Sequence, residues 1–370
     1  MKKTALVIGG GPAGASAALG LLHSGFEVTL AEKRQAWTGR VCGFFLSPEA
    51  VAQLRDLRLL DRALESGALA VSHVRITASG KIASELDLGR GGGAGLAWPR
   101  RELEAMLLAA VEERGGRLLR GKDVPVNAAA VGDPFMGEGF GLIVNAAGRF
   151  AGQVTRASAG WFGWNAEFEG LPQRPGELSL HFYSGGYVGV LTFKDGLSNV
   201  CGLSYRTSGL KETIEETIAI AMERQEALKN LLSAGSRLGK WRGVGPLPFR
   251  SSMRRGSLAI LAGDAAAVGD PFMGEGIGRA LGAGPLIQDC LERLGGDILD
   301  AGRIRSLYQT AWQKRYGPRL RIGFFVRGFL RSGFFSGLLL RWFLASPRRL
   351  QGRLPLIHGA GSLTGLRGRS

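Results

Sequence analysis

The hydrophobic pattern at the start of the chain predicts a strand, a glycine-rich turn, a helix and a second strand. An apolar run over residues 4–8 leads into glycines, and an alanine-rich helix over 15–23 precedes another apolar run over 26–31. This order is typical of a βαβ unit with a parallel sheet. The charged start and apolar run do not predict a signal peptide, because glycines interrupt the run at once.

The middle of the chain alternates short apolar runs with turn residues, which is typical of an antiparallel sheet. A helical period over residues 211–234 predicts one helix that covers this sheet. Tyr183, Tyr187 and His181 lie on the predicted strands and are candidates to line a substrate pocket. The predicted strands cover residues 162–168, 177–183, 187–193 and 199–205.

The pattern near the C-terminus is aromatic and basic. Within residues 321–345, Arg327 and Arg331 would share one side of a helix, and the longest uncharged stretch has nine residues, from 332 to 340. Because a spanning helix needs about 20 apolar residues, the segment does not predict a membrane span. It predicts a helix at an anionic membrane surface. The alternative is a helix packed on the protein with its arginines in water.

Composition and charge refine these expectations. A length of 370 residues with 45% hydrophobic and 21% charged residues predicts two folded domains or one composite domain. Residues 301–370 hold 14 of the basic residues and none of the acidic ones, so the remaining chain is nearly neutral despite a net charge of +16. No nucleic-acid partner is therefore expected. Three distant cysteines indicate a reducing compartment, hence the cytoplasm, with attachment to the inner membrane face as a further expectation.

The glycine-rich turn after the first strand reads Gly9-Gly10-Gly11-Pro12-Ala13-Gly14 and indicates a dinucleotide site. Gly9 permits a tight turn, Gly11 lets the backbone approach a pyrophosphate, and Gly14 lets the helix pack on the strand. The helix N-terminus supplies partial positive charge. Glu32 ends the second strand, where a carboxylate can accept hydrogen bonds from a ribose diol. The alternative is a glycine-rich turn without function.

This turn, followed by Glu32-Lys33-Arg34, resembles the FAD-binding start of the para-hydroxybenzoate-hydroxylase-like flavoproteins. Arg100-x-x-Leu103-Glu104, at the start of an apolar-periodic helix, is similar to an arginine element of that family. The resemblance implies that Arg100 lies near the ribityl-phosphate region of the flavin. It also implies FAD contacts from Gly9, Gly11, Pro12, Ala13, Gly14, Glu32 and Lys33.

A second segment, which starts at Gly263-Asp264-Ala265, resembles the second FAD motif of the same family. The resemblance implies that Asp264 holds a ribityl hydroxyl, and that backbone N–H groups around 274–277 face the pyrimidine edge of the flavin. A helix beginning near Glu275 would direct its positive end at a ring that becomes anionic on reduction. The alternative for Asp264 is a surface-turn aspartate. The matching positions are Gly263, Asp264, Pro271, Gly274, Glu275, Gly276 and Ile277.

A third segment, Arg40-Val41-Cys42-Gly43, is similar to an element of the geranylgeranyl reductase branch of this superfamily. Residues 187–200 are similar to a strand and turn of that branch's substrate sheet. The resemblance implies that Arg40 belongs to the cofactor site, and it makes Cys42, Gly43 and Tyr187 the catalytic candidates. The alternative for Cys42 is a small buried hydrophobe.

Two departures from related sequences bear on the reaction. Residues 160–164 differ in spacing and content from the Trp-x-Trp-x-Ile-Pro motif of flavin halogenases, which argues against halogenation. Residues 145–149 stand where aromatic hydroxylases of the family carry an Asp-Gly segment used with NADPH, which argues against direct NADPH binding. The electron donor, NAD(P)H or a reductase, stays open. The sequence has no metal-ligand spacing and no Ser-His-Asp set, so the chemistry is expected from the flavin.

A repeat complicates the second motif. Residues 128–139 repeat residues 265–276 letter for letter, but the first copy lacks the preceding Gly-Asp. One flavin needs one flavin-edge loop. We therefore predict that 128–139 is a loop without function and that the second copy binds the cofactor.

Together these features predict an α/β fold: a Rossmann-like FAD-binding domain of the GR2 type, with an inserted antiparallel substrate sheet and C-terminal helices. The FAD-binding domain is predicted from three separate segments, and the substrate domain from two. The boundaries are 1–70, 99–158 and 251–300 for the FAD-binding domain, 71–98 and 159–250 for the substrate strands, sheet and covering helix, and 301–370 for the basic C-terminal helical region.

The predicted function is FAD-dependent redox chemistry on a hydrophobic, lipid-like or other small-molecule substrate. The first interpretation, favoured by the Cys42-Gly43 element, is geranylgeranyl-reductase-like reduction of a C=C bond by hydride from flavin N5. The alternative is a monooxygenase that hydroxylates an aromatic or polyketide-type substrate through a C4a-hydroperoxyflavin. A second alternative is a non-catalytic electron-transfer flavoprotein. The sequence leaves the substrate and the oligomeric state undetermined.

Overall fold

The first layer of the fold is a parallel sheet. The computed structural model describes residues 3–36, 39–78, 81–88, 93–125, 139–149, 160–207, 213–249, 258–271, 274–295 and 300–331. Five strands form this sheet: β1 (Thr4–Ile8), β2 (Glu27–Glu32), β8 (Arg117–Arg120), β9 (Leu142–Asn145) and β15 (Ile260–Leu261). Their order is β15-β9-β1-β2-β8, and every neighbouring pair is parallel. The predicted βαβ unit is confirmed.

Helices from both ends of the chain pack on this sheet and on one another. They are α1 (Pro12–His23), α4 (Arg100–Glu113), α7 (Gly276–Leu281), α8 (Ala283–Arg293) and α9 (Ala301–Arg331). Helices α1 and α8 meet where a Cβ on Gly20 would lie 2.4 Å from the carbonyl oxygen of Gly284. The Ser16 hydroxyl accepts a hydrogen bond from the Gly284 N–H at 3.0 Å and donates one to the carbonyl of Leu281. Segments far apart in sequence therefore share one core.

The second layer is a seven-stranded sheet in which the four predicted middle strands are present. Its strands are β5 (His73–Ala78), β6 (Lys81–Asp87), β10 (Gly160–Glu169), β11 (Glu177–Tyr183), β12 (Gly186–Thr192), β13 (Ser198–Arg206) and β14 (Ser236–Val244). Their order is β14-β10-β13-β12-β11-β5-β6, and all pairs are antiparallel except β11 with β5. The sequence pattern missed β14, because this edge strand is mostly exposed and strongly basic.

Two helices, rather than the single one predicted, cover one face of this sheet. They are α5 (Ile214–Arg224) and α6 (Glu226–Ser233), and Gln225 separates them. The Gln225 side chain is buried and donates a hydrogen bond to the carbonyl of Phe182 at 2.8 Å. The break is invisible to a periodicity argument because apolar spacing continues across it. Ile218 and Leu228 pack against Trp164 on the sheet, so this segment covers the sheet as predicted.

The described residues also form a small three-stranded sheet. It consists of β3 (Phe45–Leu46), β4 (Leu69–Val71) and β7 (Gly95–Ala97), with α2 (Pro48–Asp56) and α3 (Leu60–Glu65) between its first two strands. The predicted substrate strands of 71–98 are therefore divided. β5 and β6 join the seven-stranded sheet, whereas β7 pairs with β3 and β4.

Helix α9 is more deeply packed than the basic C-terminal pattern suggested. Tyr308, Trp312 and Tyr316 are buried in the same core as α1 and α8. Beyond them, Ile322 and Phe324 keep 41% and 66% of their surface exposed. Within the described residues, no helix has the length and apolar character needed to cross a membrane.

Candidate functional site

The glycine turn after β1 has the geometry that a phosphate site requires. Gly9 has a φ of +103°, and a Cβ there would lie 2.5 Å from the carbonyl oxygen of Ala146. Gly14 lies so close to Gly9 that it has no room for a Cβ, whereas a Cβ on Gly11 would meet nothing within 4 Å. The turn is therefore tight on its inner side and open at Gly11, the N-cap of α1. Pro12 and Ala13 form the buried first turn of that helix.

Glu32 lies beside this turn, at the end of β2. Its Oε2 accepts a hydrogen bond from the Gly10 N–H at 2.7 Å, and its Oε1 accepts one from the Arg34 N–H at 3.0 Å. These two bonds fix the carboxylate and leave each oxygen with acceptor capacity for a ribose diol. Lys33 is exposed at the same strand end.

The second motif packs directly on the first. Gly263 begins a short 3₁₀ turn (Gly263–Ala265) with a φ of +60°, and a Cβ there would lie 2.6 Å from the Cβ of Ala13. Asp264 follows it and is partly exposed. Its Oδ2 lies 3.3 Å from Nε of Arg149, and its Oδ1 lies 3.7 Å from Nη2 of Arg279. The structure therefore holds the Asp264 carboxylate between two guanidinium groups.

The flavin-edge loop, residues 270–277, leads into α7. Its residues 272–273 are outside the described range. Pro271 is exposed and accepts a hydrogen bond from the Gly274 N–H at 3.0 Å, and Gly274 has a φ of +63°. Gly276, the first residue of α7, is exposed, and a Cβ there would meet nothing within 4 Å. Ile277 is buried in the core of the parallel sheet and its helices, so the loop has an open side and an anchored side.

The side chain of Glu275 points into a buried cluster of charges instead of solvent. Its Oε1 lies 3.5 Å from Nη1 of Arg319 on α9. The same Nη1 donates to Oε2 of Glu49 on α2 at 2.6 Å, and Arg315 donates to Oε1 of Glu49 at 3.0 Å. Burial, and next the charge of Glu49, raise the pKa of Glu275 to about 7 against the lowering effects of Arg319 and Arg279.

Arg40 and Arg100 both approach Glu104, and Cys42 lies beside Arg100. Arg100 donates to Oε1 of Glu104 at 2.7 Å, and Nε of Arg40 lies 4.0 Å from the same oxygen. Nη1 of Arg100 lies 3.9 Å from Sγ of Cys42. The carbonyl of Cys42 accepts a hydrogen bond from the Asn199 side chain at 3.1 Å, which ties this loop to the seven-stranded sheet.

Gly43 continues this loop where it crosses the sheet. A Cβ on Gly43 would lie 3.2 Å from Sγ of Cys201 on β13. Cys42 contacts the hydrophobic clusters of both layers, so the predicted catalytic segment lies at their interface.

Tyr187 faces that interface from β12. It is buried in an aromatic cluster with Phe44 and Phe182, and its ring centroid lies 5.8 Å from that of Phe182. Burial, followed by the neighbouring Asp270 and Cys201, raises the pKa of Tyr187 well above its usual value. The interface side of the sheet is thus aromatic and apolar, with Asp270 of the flavin-edge loop nearby.

The expectation that Tyr183 and His181 share this pocket is wrong. Side chains alternate along a strand, and both residues point to the face opposite Phe182. Tyr183 packs beneath α5 and α6 and shares a hydrogen bond of 2.6 Å with Ser204. Nδ1 of His181 shares a hydrogen bond of 2.8 Å with Oγ1 of Thr77, and burial lowers the pKa of His181 to about 4. Both are structural residues.

The residues of the two glycine motifs fit an FAD molecule. The open sides of Gly11 and Gly276, the fixed Glu32 carboxylate and the Asp264 carboxylate all belong to the two motifs that meet at Ala13 and Gly263. These groups lie at the carboxyl ends of the parallel strands β1, β2 and β15, which is the edge where sheets of this class bind their ligands.

Comparisons with known proteins support an FAD-binding domain and its fold. A family model described as an FAD binding domain matches residues 2–130. No curated protein sequence matches the chain significantly. Among solved structures, HpxO of Klebsiella pneumoniae, complexed with FAD and uric acid, superposes with a TM-score of 0.79 at 17% identity, covering 97% of each chain.

Two further structures share the fold. PqsL of Pseudomonas aeruginosa, described as a probable FAD-dependent monooxygenase, has a TM-score of 0.75 at 16% identity and covers 92% of this chain and 100% of its own. The flavin-dependent brominase Bmp2 has a TM-score of 0.76 at 16% identity, covering 97% of this chain and 93% of its own. The FAD-binding domain and the predicted fold are therefore confirmed, and they agree with an FAD-dependent oxidoreductase. The geranylgeranyl reductase branch finds no support in these matches.

Several residues of the site were not predicted from the sequence. Arg149 could have been found, because it lies four residues after β9 ends at Asn145, at the binding edge of the sheet. Glu49 and Arg319 are 270 positions apart and gave no sequence signal. The repeat over 128–139 lies almost wholly outside the described residues, so the prediction about it stays untested.

Proposed function

We propose that this protein is an FAD-dependent monooxygenase that hydroxylates a hydrophobic, aromatic or polyketide-type small molecule. The observation that carries the proposal is the aromatic face of the substrate sheet, where Tyr187 and Phe182 are directed towards the FAD-binding layer. The fold shared over nearly the whole chain with PqsL supports it. The comparisons favour this interpretation over reduction of a C=C bond.

Within this proposal, the protein supplies binding, orientation and exclusion of water. When bound, FAD would supply the redox chemistry with molecular oxygen. Gly9, Gly11, Gly14 and Glu32 would hold its dinucleotide part, and Asp264 its ribityl chain. The buried aromatic cluster would exclude water from the substrate, which favours transfer of oxygen over release of peroxide.

The direct test is incorporation of labelled oxygen. The flavin is reduced without air, mixed with isotopically labelled O₂ in the presence of a panel of phenols and polyketide-like aromatics, and the products are examined by mass spectrometry. The proposal expects label in at least one product and less peroxide when that substrate is present. Peroxide in unchanged yield and no labelled product across the panel would contradict it.

Reduction of a C=C bond is the second candidate, because the Cys42-Gly43 loop lies at the interface with Arg100 close to the thiol. Cys42→Ser separates the two candidates. A monooxygenase would keep substrate hydroxylation in this variant, whereas a reductase that uses the thiol would lose turnover of a prenyl substrate. Cys290→Ala is the control, since Cys290 is buried on α8, which packs against α1, α7 and α9. Bound flavin without turnover of either substrate class would favour an electron-transfer protein.

The electron donor and the membrane contact are also proposals. The donor is NAD(P)H or a separate reductase, and the rate of flavin reduction by NADH or NADPH alone distinguishes them. We further propose that the end of α9 contacts an anionic membrane surface, since Ile322 and Phe324 are exposed beside Arg321.

A further inference from the structure

We propose that Arg319 is a positioning residue for the cofactor site, which it completes from the C-terminal helix α9. Its guanidinium bridges Glu49 on α2 and Glu275 at the N-terminus of α7. The inference rests on the proposed FAD site, because it concerns how the flavin-edge loop is held.

The bridge is buried and joins three separate segments. The side chains of Glu49, Glu275 and Arg319 have 1%, 6% and 9% of their surface exposed. Removing one member of a buried ion cluster costs far more than removing an exposed pair, since the remaining charges stay without compensation. Arg319 therefore has a large influence on where the two carboxylates can lie.

The flavin-edge loop is coupled to Arg319 because it leads into α7, which packs on α2. Helix α7 packs on α2 so closely that a Cβ on Gly278 would lie 3.3 Å from both Ala50 N and Ser47 Oγ, and 3.5 Å from Oε2 of Glu49. Glu275 is the N-cap of α7, and the open Gly276 follows it. A shift of Glu275 would consequently move the backbone that faces the cofactor.

The charges show why Arg319 is needed there. Glu49 has a second partner, Arg315. Arg279 also lowers the pKa of Glu275, but its guanidinium lies 3.7 Å from the carboxylate of Asp264. Without Arg319, Glu275 would face the charge of Glu49 with only Arg279 to offset it. Because loss of Arg319 raises the pKa of Glu275 further, its carboxyl would then be protonated at neutral pH and would lose the ionic contact that fixes the start of α7.

The test compares four variants as full-length proteins. Arg319→Met should weaken FAD binding about tenfold and alter the visible spectrum of the bound flavin. Arg319→Lys, which keeps the charge, should restore much of the affinity. Arg321→Met removes an exposed arginine from the same helix and should bind FAD like the unaltered protein. The double variant Arg319→Met/Glu275→Gln should bind FAD no more weakly than Arg319→Met, because both substitutions remove the same contact between Arg319 and Glu275.

The outcomes separate this inference from the proposed function. If the unaltered protein binds no FAD, the cofactor site itself is wrong. If it binds FAD, but Arg319→Met has the same affinity and flavin spectrum, the positioning role of Arg319 is wrong. Circular dichroism of each variant reports folding. Should Arg319→Met not fold, the double variant decides: weaker FAD binding than in the unaltered protein supports the role of Arg319, and unchanged affinity overturns it.

Discussion

Gly263 of the second glycine motif lies against Ala13 of the first, so closely that a Cβ at position 263 would come within 2.6 Å of the Ala13 Cβ. The two residues are 250 positions apart in sequence. Their contact brings the N-terminus of α1 and the Asp264 turn to one place. The proposed cofactor site depends on this approach.

Gly263→Ala should weaken FAD binding by an order of magnitude. The left-handed φ of +60° and the overlap with Ala13 both oppose a Cβ, and overpacking of this kind costs about 1–3 kcal/mol. Gly295→Ala is the matched control, because Gly295 has a φ of +74° but open space around it. The control should lose about 1 kcal/mol of unfolding free energy and keep its FAD affinity. Equal FAD affinities in a titration of both variants would contradict the predicted convergence.

Asp264→Ala should reduce the FAD content of the purified protein, whereas Asp133→Ala should leave it unchanged. Asp264 lies between Arg149 and Arg279 beside the first motif. Asp133 belongs to residues 128–139, the copy without the preceding Gly-Asp. The FAD content of each variant is measured from the FAD that is released when the protein is denatured. Equal losses in the two proteins would show that the assignment of the functional copy is wrong.

Glu275→Gln should remove a pH dependence of stability. Burial raises the pKa of Glu275 from its usual value of 4.5 to about 7, so the folded state binds this proton more tightly than the unfolded state. Proton binding by Glu275 stabilises the folded state fully at a pH below the pKa that Glu275 has in the unfolded state. This stabilisation is lost as the pH rises through the pKa of Glu275 in the folded state. Each tenfold difference in proton affinity between the two states is worth about 1.4 kcal/mol. The unaltered protein should therefore lose stability relative to the variant as the pH rises between these values. Urea unfolding of both proteins at several pH values checks this, and parallel pH curves would argue against it.

Ile322→Ser/Phe324→Ser should reduce binding to vesicles that contain anionic lipid. Both side chains are exposed near the end of α9, where Arg321 can approach lipid headgroups. Co-sedimentation with anionic vesicles at low and high salt measures the effect. Because Leu64 is also exposed but lies on α3, Leu64→Ser serves as a control that should bind as before. Unchanged binding by the double variant would exclude this surface.

Local patterns predicted the parts of the site that depend on short spacing. The Gly9–Gly14 turn, Glu32 and the helix starting at Arg100 follow from spacing and strand order, and the structure has all of them in place. Strand alternation placed Tyr187 on a sheet. It could not decide that Tyr183 and His181 face away from the interface, because that depends on which layer covers each face.

The sequence pattern could not predict ion pairs between residues that are far apart in the chain. The arginines of residues 321–345 predicted a solvated or lipid-facing helix, yet Arg327 pairs with Asp270. On the same helix, Arg315 and Arg319 are paired with Glu49 in the core. No periodicity reveals a partner 270 residues away. The same limit applies to the break at Gln225, whose buried hydrogen bond to Phe182 exists only after the sheet has formed.

The central claim is that the two glycine motifs form a single FAD site, and the cofactor content of the purified protein tests it most directly. The full-length chain is purified, its visible absorbance is recorded, and the released cofactor is identified after denaturation. We predict a yellow protein with equimolar FAD, or an apoprotein that takes up FAD on reconstitution. A colourless protein that binds no FAD under those conditions would contradict the claim.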